Sequence, residues 1–173
     1  MVDIEYVSQT KAFESIKEVK TQVDYYTQNG AHPDIIKLVA LGNRYFGEKI
    51  QRIVMEFFNL DKPETTGHDV KQNTLGKKFE VKSSRFWVGT SDWKWQHIME
   101  DHDYDYLLLC GVNFKKIDVF IITKQKVLEL KEQGLISQQG GAEGQGLWCD
   151  YKTIADYVTR VSTPEEIIDF INK

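Results

Sequence analysis

The chain has 173 residues, a formal net charge of −4 at pH 7, and 41% hydrophobic and 28% charged residues. A chain of this size can bury its own core, and the composition is ordinary for a globular protein, so we expect a single domain. No apolar run approaches the ~18 residues of a membrane span, and the N-terminus lacks a signal-peptide core, which argues against a membrane or secreted protein and favours the cytoplasm. Two cysteines, Cys110 and Cys149, are too few for a disulfide framework.

The N-terminal part of the sequence predicts helices. Apolar residues near helical spacing run from about residue 9 to residue 28, and Asn29-Gly30 ends the pattern. A second helical region opens at His32-Pro33-Asp34, and after a break at Gly42-Asn43 a longer helix reaches about Asn59. The apolar side chains of this longer helix form one stripe, which we expect to face the core: Ile50, Ile53, Val54 and Phe57.

The middle of the chain predicts strands with one helix among them. A β-hairpin runs from about Gly67 to Ser84, and residues 92–101 are predicted to be a helix with Ser91 or Asp92 as its N-cap. The near-continuous apolar run at 104–112 is typical of a strand that is buried on both faces. Residues 118–123 predict a further strand.

The last part of the chain adds helices to this sheet. We expect a helix at 124–133, a Gly/Gln-rich loop at 138–146 and a helix from 150 to about 160. Thr163 and Pro164 are an N-cap and first-turn signal for a C-terminal helix. The sequence therefore predicts an α/β protein with a mixed β-sheet flanked by helices.

The hairpin carries the residues with the most chemistry. Phe79 and Val81 alternate with Glu80 and Lys82, and side chains two apart on a strand point to the same face. The apolar pair can enter the core while Glu80 and Lys82 project together. If the strand that carries Asp69 pairs alongside, two carboxylates and an ammonium converge, and such a cluster can hold Mg²⁺ and orient a water molecule.

Asp69 followed after ten residues by Glu80-Val81-Lys82 resembles the motif of the PD-(D/E)xK nuclease superfamily, and in particular small type II restriction endonucleases. His68 stands where these proteins usually have proline, and the resemblance covers roughly residues 44–123. It implies a restriction-endonuclease-like core with an extra N-terminal helical segment. We expect one nuclease domain over 1–173, with residues 43–173 as catalytic core and 1–42 as candidate dimerisation region.

The resemblance also implies roles for individual residues. Asp69 and Glu80 are expected to ligate one or two Mg²⁺ ions with the backbone carbonyl of Val81, and Mn²⁺ is expected to substitute. Lys82 is expected to orient the attacking water and offset negative charge, with proton abstraction as a secondary role. Glu48 is the candidate helix glutamate for a second metal. It lies off the apolar stripe of its helix, however, so a solvated glutamate is the alternative.

Positive charge is concentrated around the motif, since six basic and two acidic residues lie between Lys71 and Lys94. Phosphates would lie there, although lysines that protect an edge strand are the alternative explanation. Glutamines of the Gly-rich loop can read base edges. The candidate DNA-binding residues are Lys71, Lys78, Ser83, Ser84, Arg85, Lys94, Gln96, Gln138, Gln139 and Gln145.

The sequence thus favours a Mg²⁺-dependent endonuclease that cuts double-stranded DNA at specific sites. Cleavage of both strands requires two active sites, which in a chain of this size implies a homodimer. A Holliday-junction resolvase or another structure-selective nuclease is the alternative within nucleases. The contrasting class is a non-catalytic DNA-binding protein that keeps the fold.

Overall fold

The computed structural model describes residue 9 and residues 22–61, 70–72, 76–141 and 144–173. The helices are α1 (22–28), α2 (Pro33–Val39), α3 (Asn43–Phe58), α4 (Lys124–Glu132), α5 (Tyr151–Ile154) and α6 (Pro164–Ile171). The strands are β1 (Leu60–Asp61), β2 (Val70–Gln72), β3 (Lys77–Trp87), β4 (Asp92–Ile98), β5 (Tyr106–Val112), β6 (Ile117–Thr123), β7 (Ser137–Gln138), β8 (Leu147–Asp150) and β9 (Thr159–Val161). Single 3₁₀ turns lie at Gln139–Gly141 and Ala155–Tyr157.

The strands form one mixed sheet that is organised around β3. One edge of β3 pairs in parallel with β5, which continues antiparallel through β6 to β9. The other edge of β3 pairs antiparallel with β2 near its start and with β4 at its end. β4 leads through β8 to β7, and β2 leads to β1. The prediction of an α/β protein with a mixed sheet flanked by helices is confirmed.

Each face of the sheet has its own core. On one face, Leu108 and Cys110 of β5 pack with apolar residues of the three N-terminal helices. On the opposite face, Leu107 and Leu109 pack with β4, β8 and α4. Alternate residues of β5 therefore serve different cores, which explains why its sequence is apolar without interruption. This confirms the prediction of a strand buried on both faces.

The helix predicted at 92–101 is wrong, because residues 92–98 form β4. Trp93 and Trp95 are buried while Lys94 and Gln96 are exposed, which is the alternation of a strand with one covered face. Ser91 is not a helix N-cap. Its φ of 49° lies in the left-handed region, within the turn that returns the chain from β3 into β4.

Three smaller predictions also need correction. The helix predicted from 150 to 160 ends at Ile154, and Thr159–Val161 instead forms β9, because the edge of β6 is available for pairing. The loop predicted at 138–146 contributes Gln138 to β7. In α3 the buried stripe consists of Phe46, Ile50, Val54 and Phe58, whereas Phe57 is 59% exposed, because residues four apart share a helix face.

None of the helices in the described ranges is long and apolar enough to cross a membrane.

Candidate functional site

Glu80 is a buried carboxylate in the middle of the sheet. Phe79 and Val81 on either side of it enter the core beneath the N-terminal helices, so the alternation of β3 turns Glu80 to the opposite face. Only 2% of Glu80 is exposed. An unpartnered charge at such a position is costly, so the groups around the carboxylate decide whether it is tolerated.

Lys82 is the first partner of Glu80. Its Nζ lies 2.9 Å from Glu80 Oε1, and the lysine side chain is 20% exposed. The two residues are separated by one position on β3 and therefore share a face of the strand. The predicted projection of Glu80 and Lys82 to one side, with Phe79 and Val81 in the core, is what the structure shows.

His102 is the second partner, and the sequence analysis did not single it out. Its Nδ1 lies 3.2 Å from Oε1 and 3.3 Å from Oε2 of Glu80. The histidine belongs to the loop between β4 and β5, and it is 34% exposed. A signal was present in the sequence, because Asp101-His102-Asp103 immediately precedes the apolar strand that neighbours the motif strand.

The loop that carries His102 is fastened from several sides. The Nζ of Lys124 donates a 2.6 Å hydrogen bond to the carbonyl of His102 and lies 4.8 Å from the centre of the Tyr104 ring. Asp105 joins the loop to β3, because its amide donates to the carbonyl of Lys78 and its carboxylate accepts from the Lys78 amide, each at 2.9 Å. These hydrogen bonds therefore fix the backbone of the loop from which the His102 side chain projects.

The pKa of Tyr104 shows the effect of burial and of negative charge in this region. Burial is the main cause that raises the pKa of its hydroxyl above the ordinary range, and the negative charges of Glu80 and Glu100 raise it further. A phenol beside these carboxylates stays protonated at neutral pH. This region therefore contains Glu80, Lys82, His102 and Tyr104, and it lies close to the N-terminus of α4 at Lys124.

Asp69 and His68 lie outside the described residues. Within the part of the chain that the structure describes, no three side chains among His, Cys, Asp and Glu stand close enough together to hold a metal ion. The described donors at the cluster are a carboxylate from Glu80 and an imidazole from His102. These are suitable ligand types for a divalent ion, and a third side-chain ligand from His, Cys, Asp or Glu would have to come from outside the described ranges.

The structure does not bring Glu48 to this cluster. α3 buries its stripe in the core on the face of the sheet opposite to Glu80. Glu48 is exposed on that helix and forms an ion pair with Arg44 at 3.0 Å. The backbone of Val81 lies between Glu80 and Lys82 in β3, while its side chain belongs to the core.

Arg85, a predicted DNA-binding residue, is turned into the protein. Its guanidinium donates to the carbonyls of Val39 and Leu41 and to the side chain of Asn43, and it stacks 4.1 Å from the ring centre of Phe46. Burial lowers the pKa of Arg85 below its ordinary value. In this position the side chain binds the loop between α2 and α3 to β3.

Other predicted DNA-binding residues near β3 have mixed positions. Ser84 is buried, and its Oγ accepts a 2.9 Å hydrogen bond from the amide of Lys94. Ser83 lies beneath α3, where a Cβ added at Gly47 would be 3.8 Å from its Oγ. Lys78 pairs with Asp103. The side chain of Lys71 lies outside the described part of β2.

The remaining candidates lie on the β4–β8–β7 part of the sheet. The Nζ of Lys94 sits 4.1 Å from the ring centre of Trp148, and Gln96 is exposed. Three glutamines belong to the region around His97. The side chain of Gln139 accepts a 2.9 Å hydrogen bond from the His97 amide, and the carbonyl of Gln145 lies 3.1 Å from His97 Nδ1. The side chain of Gln138 donates to the carbonyl of Gly146.

The site is thus a buried carboxylate with an ammonium and an imidazole as its partners. Neither a protein-family model nor a curated protein matches the sequence.

Proposed function

We propose that the protein is a Mg²⁺-dependent endonuclease that hydrolyses phosphodiester bonds in double-stranded DNA. The observation that carries this proposal is the placement of Glu80 and Lys82. They share one face of a central strand, with Lys82 Nζ 2.9 Å from Glu80 Oε1, and only the ammonium end of the pair reaches solvent to any extent. This is the carboxylate–lysine pair that the motif requires.

The register of the hairpin supports the addition of Asp69. β2 and β3 pair antiparallel with Val70 opposite Phe79 and Lys71 opposite Lys78. In the sequence, Asp69 precedes Val70 and Glu80 follows Phe79. The proposal extends this register by one position, which sets Asp69 opposite Glu80 as the second carboxylate of the site.

The residues of the site have separate tasks in this proposal. When bound, Mg²⁺ would supply Lewis-acid stabilisation to the phosphoryl oxygens and activate water. Glu80, Asp69 and the carbonyl of Val81 would hold it. Lys82 would turn its ammonium from Glu80 to the attacking water and the scissile phosphate, where it orients the nucleophile and offsets negative charge.

The fold supports the finer architectural proposal of a restriction-endonuclease-like core. A helix, α3, precedes a meander of β1, β2 and β3, and β3 then pairs in parallel with a buried strand, β5. We propose site-specific cleavage by a homodimer, because two strands of opposite polarity call for two identical sites related by a two-fold axis.

One observation favours a second candidate, a DNA-binding protein that has kept the fold without catalysis. The carboxylate of Glu80 has both Lys82 and His102 as partners. The Lys82 ammonium pairs with this charge and the His102 imidazole can donate a hydrogen bond to it, so the carboxylate has partners without a metal, as in a purely structural cluster. The experiment below separates the two candidates.

The test is cleavage of supercoiled and linear duplex DNA in Mg²⁺ by the wild-type protein, with the fragment ends sequenced. Lys82→Ala is the test variant, and Lys126→Ala is its control, because Lys126 is an α4 lysine in a surface ion pair. We expect discrete fragments from wild type and Lys126→Ala only. Cleavage that survives Lys82→Ala in a folded protein would refute the proposed site, and binding without cleavage by wild type would favour the second candidate.

A further inference from the structure

We propose that His102 is a metal ligand of the proposed site and that its imidazole makes the site prefer Mn²⁺ to Mg²⁺. This inference rests on the proposed function, because it assigns a further ligand to the ion that Glu80 would hold. Its ligand class is a divalent first-row transition ion. Imidazole nitrogen is a good ligand for such ions, whereas Mg²⁺ selects oxygen.

The donor atoms of His102 and Glu80 lie at the spacing of neighbouring metal ligands. His102 Nδ1 lies 3.2 Å and 3.3 Å from the two carboxylate oxygens of Glu80. Adjacent ligand atoms of an octahedral ion with bonds of about 2.1 Å are about 3 Å apart. A carboxylate oxygen of Glu80 and Nδ1 are therefore spaced like two neighbouring ligands of one ion. Ligation requires that the imidazole proton is on Nε2 and that the ring turns, so that the Nδ1 lone pair points at the ion beside the carboxylate and not at the carboxylate itself.

The backbone of His102 is held by its surroundings. Lys124 Nζ donates to the carbonyl of His102 at 2.6 Å, and the Tyr104 amide donates to the same carbonyl at 3.2 Å. Asp105 fixes the end of the loop to β3. A ligand whose backbone is already ordered loses little entropy when it binds an ion, as a preorganised site requires.

Solvent can reach the cluster from one side. Glu80 is almost fully buried, but His102 is one-third exposed and Lys82 one-fifth exposed. The cluster therefore opens to solvent on the side of these two residues. The ammonium of Lys82 repels a metal ion, whereas the imidazole of His102 carries a nitrogen lone pair that can bind one.

A structural hydrogen bond from Nδ1–H to Glu80 is the competing explanation, and spectroscopy separates it from ligation. The full chain, free of any polyhistidine tag, is titrated with Mn²⁺ and followed by electron paramagnetic resonance. Electron spin echo modulation then detects the ¹⁴N coupling of a directly bound imidazole. Mg²⁺ affinity is measured by competition with Mn²⁺.

The variants are His102→Asn, Glu80→Gln and the control His32→Asn. His32 caps α2 through its side chain, and asparagine is a good N-cap, so the control removes an imidazole while the cap is kept. We expect ¹⁴N coupling in wild type and His32→Asn but not in His102→Asn. The affinity of His102→Asn for Mn²⁺ should fall about tenfold or more, while its affinity for Mg²⁺ stays within about twofold.

The outcomes distinguish this inference from the proposed function. Suppose that wild type binds Mn²⁺, that Glu80→Gln abolishes this binding, and that wild type shows no ¹⁴N coupling. The inference about His102 is then overturned, while the proposed metal site stands. A ¹⁴N signal that persists in His102→Asn also overturns the inference. If Mn²⁺ does not bind, or binds equally to Glu80→Gln, the inference and the proposed metal-dependent function both fail.

Discussion

At the scale of single residues, Glu80 shows how burial makes one side chain depend on its partners. Its carboxylate is shared by Lys82 and His102, and almost none of it is exposed. Removing one partner of a buried ion pair leaves a charge without compensation, which costs more than the pair contributes to stability. Lys82 therefore has a role in stability that is separate from any role in catalysis.

We predict that Lys82→Met lowers the free energy of unfolding by about 3 kcal/mol, because Glu80 loses its ammonium partner. Glu80→Gln combined with Lys82→Met should recover part of this loss, since the uncompensated charge is then gone. Urea denaturation measures both. Lys126→Met is the matched control, because its ion pair with Glu129 is at the surface and its loss should change little. Equal effects of Lys82→Met and Lys126→Met would contradict the prediction.

The two cysteines give a second prediction at this scale. Burial, together with the smaller effect of the charges of Asp150 and Asp92, raises the pKa of the Cys149 thiol to about 12. Burial also raises the pKa of Cys110. Because the thiolate is the reactive form, neither residue should react with Ellman's reagent in the native protein at mildly alkaline pH. Both should react after denaturation, whereas rapid labelling of native protein would show that a thiol is accessible.

At the scale of elements, a close contact between Trp93 of β4 and Gly111 of β5 helps to fix the position of β4. The indole ring of Trp93 covers Gly111, where an added Cβ would lie 2.5 Å from the ring. The Trp93 Nε1 also donates to the carbonyl of Val112 at 3.2 Å. A side chain at position 111 would therefore push β4 away from the sheet.

Gly111→Ala should lower the free energy of unfolding by about 2 kcal/mol, because the new methyl group overpacks this contact. It should also change the tryptophan fluorescence of the native state, since Trp93 must move. Gly89→Ala is the control, because a Cβ there would meet no heavy atom within 4 Å. Chemical denaturation followed by fluorescence measures both variants, and an unchanged Gly111→Ala would mean that Trp93 does not pack as described.

Asp92 connects β4 to α5 and gives a prediction about pH. Its carboxylate accepts hydrogen bonds from the amides of Trp93 at 2.8 Å and Lys152 at 3.1 Å. Burial nevertheless raises the pKa of Asp92 above its ordinary value of 3.8, since desolvation of the charged form exceeds these favourable contacts. The folded state thus binds this proton more tightly than the unfolded state.

The contribution of Asp92 to stability should therefore be greatest at low pH. It is lost as pH rises from the ordinary pKa of 3.8 through the raised pKa of the folded state. Asp92→Asn removes this titration. As pH rises through that window, the free energy of unfolding of wild type should therefore fall relative to that of the variant. Urea denaturation at a series of pH values measures the difference. A constant difference, or one of opposite sign, would show that the carboxyl is not destabilised by burial.

At the scale of the whole molecule, one sheet separates two cores, and Tyr26 ties the helical layer to it. The Tyr26 hydroxyl donates to the carbonyl of Val112 on β5 and accepts a 2.7 Å hydrogen bond from the Phe86 amide on β3. Burial raises the pKa of this hydroxyl to about 12, so it remains a donor at neutral pH. Helix α1, within the candidate dimerisation region, thus contributes to the core of its own chain.

Tyr26→Phe should lower the free energy of unfolding by about 1–3 kcal/mol, because it leaves the part-buried Phe86 amide without this acceptor and removes one of the two side-chain hydrogen bonds to the Val112 carbonyl, which keeps the bond from Trp93 Nε1. Tyr45→Phe is the matched control, since Tyr45 is exposed on α3. Thermal unfolding of both variants measures the effect. If the two variants were equally stable, the hydroxyl of Tyr26 would contribute nothing to the attachment of the helical layer.

Features with a local cause could be predicted from the sequence. The period-two alternation at Phe79-Glu80-Val81-Lys82 set which side chains share a face, because neighbouring positions on a strand point in opposite directions. The uninterrupted apolar run before Val112 indicated a strand covered on both sides. The α/β class and the Glu80–Lys82 pair follow from such short-range patterns, and both are present in the structure.

Features that depend on residues far apart in the chain were decided only by the tertiary structure. His102 meets Glu80 because β5 pairs with β3 and brings the preceding loop with it, across 22 positions of sequence. Residues 92–98 form a strand because β3 and β8 pair with its two edges and Trp93 and Trp95 pack into the core on one face of the sheet. Arg85 turns inward because three acceptors of the α2–α3 region converge on it. In each case a long-range partner outweighs local preference, since burial and hydrogen bonding count for more than propensity.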